Sequence, residues 1–523
     1  MIDTDLLSQA RAAVQVSQEV IQAGIATAKA AGDPDQNQQL VYSLAHAASA
    51  AAMSESALTY AQAGDDEARL AHVFIGRQLT DLASILWARA ADWGAEPTAL
   101  DATRAYAARV TAPDFVGAAA AAPGSANLPD DLEMVATTFR QFADQRVAPH
   151  AEAIHRHDLD IPQEIIDGVA ELGCFGLSIP ESYGGSASGS EDDYMAMVIA
   201  TEELSTASLG AGGSLITRPE ILARAVEAGG TDEQKQRWLP AIASGETLCA
   251  VAVTEPDFGS DVANLKVSAT PEEGGWRING VKTWCTFAGR ANALMVLART
   301  NSDPEAKHRG LSLFVVDKPS DDGHDFRHEI DGGTLEGRAI ATLGYRGMHS
   351  FEVSFTDWFV PAENMIGGDE GLGRGFYLQM AGFENGRIQT AARAVGVMQR
   401  AWEVASEYAN DRVVFGSSIA DYQLTQIKLG TMAAIIQIGR QYSYEVARKM
   451  AAGDGALEAA MAKAYLCKAA EWVTREALQI HGGMGYAEEY EVSRLFVDAR
   501  VLSIFEGADE TLCLKLIGRR LLA

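Results

Sequence analysis

The stretch "GGWRINGVKTWCTFAGRAN", residues 274–292, decides how this chain is read. Apolar and polar residues alternate on either side of Asn279-Gly280, the pattern of two strands joined by a tight "NG" turn. Four more short β-rich runs surround it: "TLCAVAVTEP" before, then "ALMVLART", "GLSLFVVD" and "SFEVSFTDWFV", each bounded by glycine, proline or asparagine. Residues 247–368 therefore read as a compact β domain, a small barrel or sandwich.

On both sides the apolar residues recur at three- and four-residue steps, the period of a helix. Residues 130–246 read as a helical domain. Residues 369–523 read as a helical bundle, with long segments at 371–410, 419–452, 456–481 and 509–522. Residues 1–112 are alanine-rich and almost free of proline, which predicts a helical extension. Between extension and helical domain lies the low-complexity "APDFVGAAAAAPGSANLPDD", read as a linker over 113–129. The fold class is multidomain α+β, with no internal repeat.

The 523 residues carry a formal net charge of −29 and a sequence pI near 4.7. Such a surface repels nucleic acid and anionic membranes, although local basic residues can still hold a small anionic ligand. No run approaches the ~20 apolar residues of a membrane span. The start "MIDTDLLSQA" shows no secretory leader, and five scattered cysteines (174, 249, 285, 467, 513) form no CxxC pair. A reducing cytoplasm is expected, with neither structural zinc nor a disulfide framework.

Five stretches carry chemistry. In "AVTEPDFGSDVANL" (252–265) a strand ends at a Gly259-Ser260 turn, where backbone N–H groups and a hydroxyl can meet a ligand, or simply cap a turn. Trp284 and Thr286 share one side of a strand, able to pack on an aromatic cofactor or on strand neighbours. Arg412 in "NDRVVFG" can pair with a phosphate or with a surface carboxylate. Gly482-Gly483 in "LQIHGGMGYAEEY" ends a helix and permits close approach. In "LSIFEGADETL" (502–512), Glu506 follows Ile504 and Phe505. It is either the solvated start of a last helix, where Glu506 and Asp509 favour the dipole, or a base kept dry to remove a weakly acidic proton.

In their order and spacing these stretches resemble the acyl-CoA dehydrogenase family over residues from about 130 to 523. The resemblance implies FAD bound between the β domain and the bundle. Val253, Thr254, Gly259 and Ser260 would line the flavin, with Trp284 packed on its ring and Thr286 near N5. Arg412, Phe415, Gln423, Gln479 and Gly483 match positions holding the adenine and pyrophosphate across a subunit boundary, which implies a homodimer or a dimer of dimers. Glu506 falls on the family's C-terminal catalytic base. Some members carry that base on the first bundle helix, where this chain has Gly386. Glu384 and Arg387 match coenzyme A contacts. Ser260 and Gly507 fall on positions next to the substrate.

The resemblance also implies the chemistry: Glu506 takes the α-proton of an acyl-CoA thioester while hydride leaves the β-carbon for FAD. The Glu506 N–H and the ribityl 2′-hydroxyl would hold the thioester oxygen. Electrons would pass to an electron-transfer flavoprotein. Two positions depart from the pattern. Many members continue Glu-Gly-Thr-Ser, whereas this chain reads Glu506-Gly507-Ala508-Asp509, and Glu510 stands where glutamine is frequent.

The narrower resemblance points to a short branched chain ending in a carboxylate, as in (2S)-methylsuccinyl-CoA giving mesaconyl-CoA. Members acting on glutaryl thioesters place an arginine where Thr206 stands here. Arg218 is the arginine available in "EELSTASLGAGGSLITRPEI", either a carboxylate clamp or a surface residue at a helix start. Other readings remain open: dehydrogenation of other short or branched chains, an oxidase using oxygen, or a nucleic-acid-associated flavoprotein, which the charge disfavours.

Overall fold

The structure, a computed structural model, describes residues 3–523. Those residues form two compact units, one made of residues up to 134 together with 390–523 and the other of 135–389. The chain opens with α1 (Thr4–Ala31), α2 (Gln38–Tyr60) and α3 (Asp65–Arg89), then the short α4 (Arg104–Val110) and α5 (Pro113–Ala118). Helices α6 (Asp130–Phe142), α7 (Ala148–His157), α8 (Gln163–Glu171), α9 (Glu191–Ala207), α10 (Thr217–Gly229) and α11 (Asp232–Ala243) follow.

Eight strands come next: β1 (Cys249–Ala252), β2 (Ser268–Glu272), β3 (Gly275–Thr286), β4 (Ala293–Arg299), β5 (Leu311–Asp317), β6 (Asp325–Ile330), β7 (Gly333–Ile340) and β8 (Ser350–Pro361). They make one sheet in the order β1-β4-β2-β3-β8-β7-β6, with β5 on β4. The expected hairpin about Asn279-Gly280 is corrected. β3 runs straight through that pair, and its hairpin partner is β2, with Glu272 opposite Gly275 across Glu273-Gly274. Gly280, at φ 131°, instead sits at a register shift against β8, a bulge only glycine tolerates well. Asn279 is taken by Asp357, its amide donating to Oδ1 at 3.0 Å and its carbonyl accepting from the Asp357 N–H at 2.8 Å. A second shift between Lys282 and Cys285 brings Trp284 to φ 57° and leaves it 55% exposed.

The last part of the chain holds α12 (Gly375–Asp411), a small ribbon of β9 (Val413–Val414) and β10 (Ser417–Ser418), and then α13 (Gln423–Ala451), α14 (Ala456–His481) and α15 (Glu491–Leu502). The helix expected over 509–522 is present as one uninterrupted helical run, α16 (Asp509–Thr511), a π-helical middle (Leu512–Ile517) and α17 (Gly518–Leu521).

In the first unit, α1, α2 and α3 pack on one another, and α2, α3 and α5 pack on α13. α5 lies inside the stretch read as a linker. Its approach to α13 is close, because a Cβ on Gly430 would sit 2.1 Å from the Val116 carbonyl. Trp93, fully buried with Val20, Ile25 and Leu44, anchors the core of the extension. Burying an aromatic of that size removes enough apolar surface to stabilise the helices by about 2–3 kcal/mol.

Candidate active site and cofactor-binding residues

α15 ends at Leu502 and the chain turns sharply through Glu506 and Gly507, both left-handed, at φ 54° and 102°. A left-handed glutamate costs roughly 1–2 kcal/mol, so surrounding bonds must hold it. Thr390 donates its hydroxyl to Glu506 Oε2 at 2.6 Å, and Arg393 donates from Nη2 to Oε1 at 2.8 Å. The Arg393 side chain is fully buried and that of Glu506 is 6% exposed. Lys463 clasps the turn from both sides, donating to the carbonyls of Leu502 at 3.1 Å and Gly507 at 2.8 Å. Burial holds the Lys463 ammonium below its usual pKa.

The picture of a solvated helix start is corrected at Asp509. This carboxylate is buried and accepts a hydrogen bond from the Tyr42 hydroxyl at 2.5 Å, with His46 Nε2 at 3.2 Å and Lys468 Nζ at 3.6 Å. Burial pushes its pKa up, but the bonds from His46 and Tyr42 and the Lys468 charge outweigh it and leave the pKa at about 2.

Glu384 lies half-buried on α12, and Gly386 and Arg387 are buried on the same helix. Arg218 is not a surface residue: it stands in the first turn of α10, 6% exposed, close enough to Cys249 for its charge to act on the thiol. Thr206 spends its hydroxyl on the Glu203 carbonyl at 2.6 Å.

The residues expected to line the flavin all lie in the second unit, and the backbone joins their two stretches. The Thr283 N–H donates to the Thr254 carbonyl at 2.8 Å, and the Lys282 ammonium bridges the Val253 carbonyl and Glu255, each at 2.9 Å. Gly259 and Ser260 are exposed, and a Cβ on Gly259 would meet nothing within 4 Å. Thr286 is buried, its hydroxyl 2.9 Å from that of Ser350. The second set gathers at one end of the bundle in the first unit. α13 and α14 pack together, Lys428 of α13 pairs with Glu476 of α14 at 2.7 Å, and Tyr408 stacks on His481 at 4.3 Å. Arg412, Phe415, Gln423, Gln479 and Gly483 therefore share that end, and all five are exposed.

These residues fit FAD. Trp284 offers a bare indole face, and Phe415 a ring that is 96% exposed, where a flat ring system or a neighbouring subunit would cover them. Gly482 and Gly483 leave open space where Cβ atoms would stand, so a ligand can reach the backbone.

Sequence reasoning missed Thr390, Arg393, Lys463, Tyr42 and His46. A signal existed for Arg393, an arginine inside the apolar run "AARAVGVM", because such a residue is buried only with a partner.

Comparisons with known proteins agree with this geometry. The acyl-CoA dehydrogenase N-terminal, middle and C-terminal domains match residues 129–246, 250–358 and 373–522. The (2S)-methylsuccinyl-CoA dehydrogenase of Cereibacter sphaeroides is 44% identical over 76% of this chain and 71% of its own length. Among solved structures, butyryl-CoA dehydrogenase from Megasphaera elsdenii superposes with a TM-score of 0.69 at 30% identity, over 76% of this chain and 99% of its own. A glutaryl-CoA dehydrogenase from Mycobacterium smegmatis in complex with FADH2 gives 0.65 at 26% identity, over 75% and 95%. The chain belongs to the acyl-CoA dehydrogenase family, FAD-dependent oxidoreductases acting on CH–CH bonds.

Proposed function

We propose that this enzyme dehydrogenates a short, branched acyl-CoA that ends in a carboxylate, (2S)-methylsuccinyl-CoA to mesaconyl-CoA, and passes its electrons to an electron-transfer flavoprotein. It works as a homodimer or a dimer of dimers. The observation that carries this reading is the buried pair of Glu506 and Arg393. The 44% identity to a methylsuccinyl-CoA dehydrogenase supports it.

FAD, when bound, supplies the acceptor for hydride leaving the β-carbon. The chain does the rest. Glu506 takes the α-proton, since the alternative base position is Gly386. A thioester α-proton is far less acidic than a carboxylic acid, so the transfer needs a water-poor site and donors to the thioester oxygen. The Glu506 N–H is one such donor. Glu384 and Arg387 hold remote parts of coenzyme A, which positions the reacting carbons.

Arg393 links the base to substrate choice. Arg393 occupies one oxygen of the Glu506 carboxylate. In a succinyl thioester the distal carboxylate hangs one bond from the β-carbon, and a buried guanidinium is the partner such a group requires. As that carboxylate takes up Arg393, Glu506 is released to act. Arg218, buried in the second unit, is a separate candidate for carboxylate binding. An uncharged chain would leave Glu506 tied.

The test is a panel of acyl-CoAs offered to the FAD-loaded enzyme with an artificial electron acceptor. Methylsuccinyl-CoA is expected to give the highest kcat/KM. Butyryl-CoA turned over far better than methylsuccinyl-CoA would end the substrate assignment.

A further inference from the structure

α2 presents Tyr42, Ala45 and His46 on one stripe, three and four residues apart, and lays it against the C-terminal segment. Ala45 packs with Leu512, Cys513 and Ile517. The approach is close, because a Cβ on Gly518 would fall 2.4 Å from Val41 Cγ1. At the centre stands the Asp509 carboxylate. Oδ2 takes the Tyr42 hydroxyl at 2.5 Å and faces His46 Nε2 at 3.2 Å. Lys468 donates to the Tyr42 oxygen at 2.7 Å. Oδ1 lies 3.7 Å from the Cys513 thiol, itself 3.5 Å from His46 Nε2. Both oxygens of the buried carboxylate are thus engaged by side chains.

We infer that Tyr42 and His46 of the N-terminal extension are positioning residues for the active-site turn: by binding Asp509 they hold Glu506 in the geometry proton abstraction requires. Three observations carry this. The Asp509 N–H closes the turn around Glu506 by donating to the Ser503 carbonyl at 3.1 Å. Asp509 is three residues from Glu506, whose left-handed backbone needs external restraint. The buried Asp509 carboxylate demands several donors, and α2 supplies two of them. The inference rests on the reading of Glu506 as base.

The test uses full-length, FAD-loaded Tyr42→Phe and His46→Gln. Loss of the hydroxyl should lower kcat about tenfold, short of the ~10²-fold effect of a 1 Å misplacement. KM and FAD content should stay within twofold. The α-deuterium isotope effect should rise, and amides of 503–510 should exchange faster. In an Asp509→Ser background, Tyr42→Phe should cost almost nothing in kcat, because no buried charge is left without a donor. A purely structural role would lower melting temperature with kcat, isotope effect and exchange at 503–510 unchanged, and that result overturns the inference. The base assignment is read separately: a Glu506→Gln enzyme that still turns over removes it, and the exchange at 503–510 in Tyr42→Phe then decides the positioning role by itself.

Discussion

Arg393 Nη2 lies 2.8 Å from Glu506 Oε1, and the two residues stand 113 positions apart in the chain. The pair holds the Glu506 carboxylate in a dry place, with Thr390 on its other oxygen. Glu506→Gln keeps the shape and both donors' surroundings but cannot take a proton. FAD should still bind, with its visible absorption retained, while turnover falls by the ~10²–10⁴-fold typical of a lost general base. A variant retaining more than about a tenth of the wild-type rate contradicts the assignment.

The two buried arginines are separable by substrate. Arg393→Gln should raise KM and lower kcat for methylsuccinyl-CoA while raising turnover of butyryl-CoA, because the guanidinium that ties Glu506 under an uncharged chain is gone. Arg218→Ala should raise KM for methylsuccinyl-CoA and leave butyryl-CoA nearly untouched. Equal effects on both substrates at either position remove that residue from carboxylate binding. Removing one partner of a buried pair also destabilises, by about 3–5 kcal/mol, so the Arg393 variant should show a lower melting temperature alongside the kinetic change.

Acid should act through Asp509. Its folded pKa of about 2 lies below the ordinary 3.8, so the folded state prefers the ionised form. The stability this gives is complete above the unfolded value and disappears as pH falls from about 4 to about 2. Melting temperature measured across that range should fall less steeply in Asp509→Asn than in the wild type. Parallel slopes would mean the carboxylate is not held as described.

Removing FAD should lower both melting temperature and assembly state. The residues proposed to hold the cofactor at the bundle end are exposed, Phe415 most of all, and a ligand that binds only the folded form stabilises it by mass action. Apoprotein with an unchanged melting temperature and oligomer, measured by calorimetry and light scattering, would count against cofactor sites shared between subunits.

Much of this was legible in the sequence, and the gaps have physical causes. The β domain was visible because strands alternate over short distances. The role of Gly280 was not, since "NG" serves a bulge as readily as a turn, and the choice was made by β8, some 70 residues on. α15 went unread because its buried face carries Arg494 and Asp498, 2% and 4% exposed, which break the apolar period. The position of Glu506 was readable from its motif. Its partners were not, because which buried cation meets a carboxylate is fixed by packing between helices distant in sequence.

The first unit is discontinuous in the chain, its two parts separated by the whole of the second. At about 5–20 residues per second of synthesis, α2 and α3 leave the ribosome tens of seconds before α13, which both pack against, has been made. Through that interval the faces of α2 and α3 that meet α13 have no native partner. The nascent chain is therefore most exposed to aggregation early, and chaperone dependence during synthesis should follow the first hundred residues rather than the catalytic core.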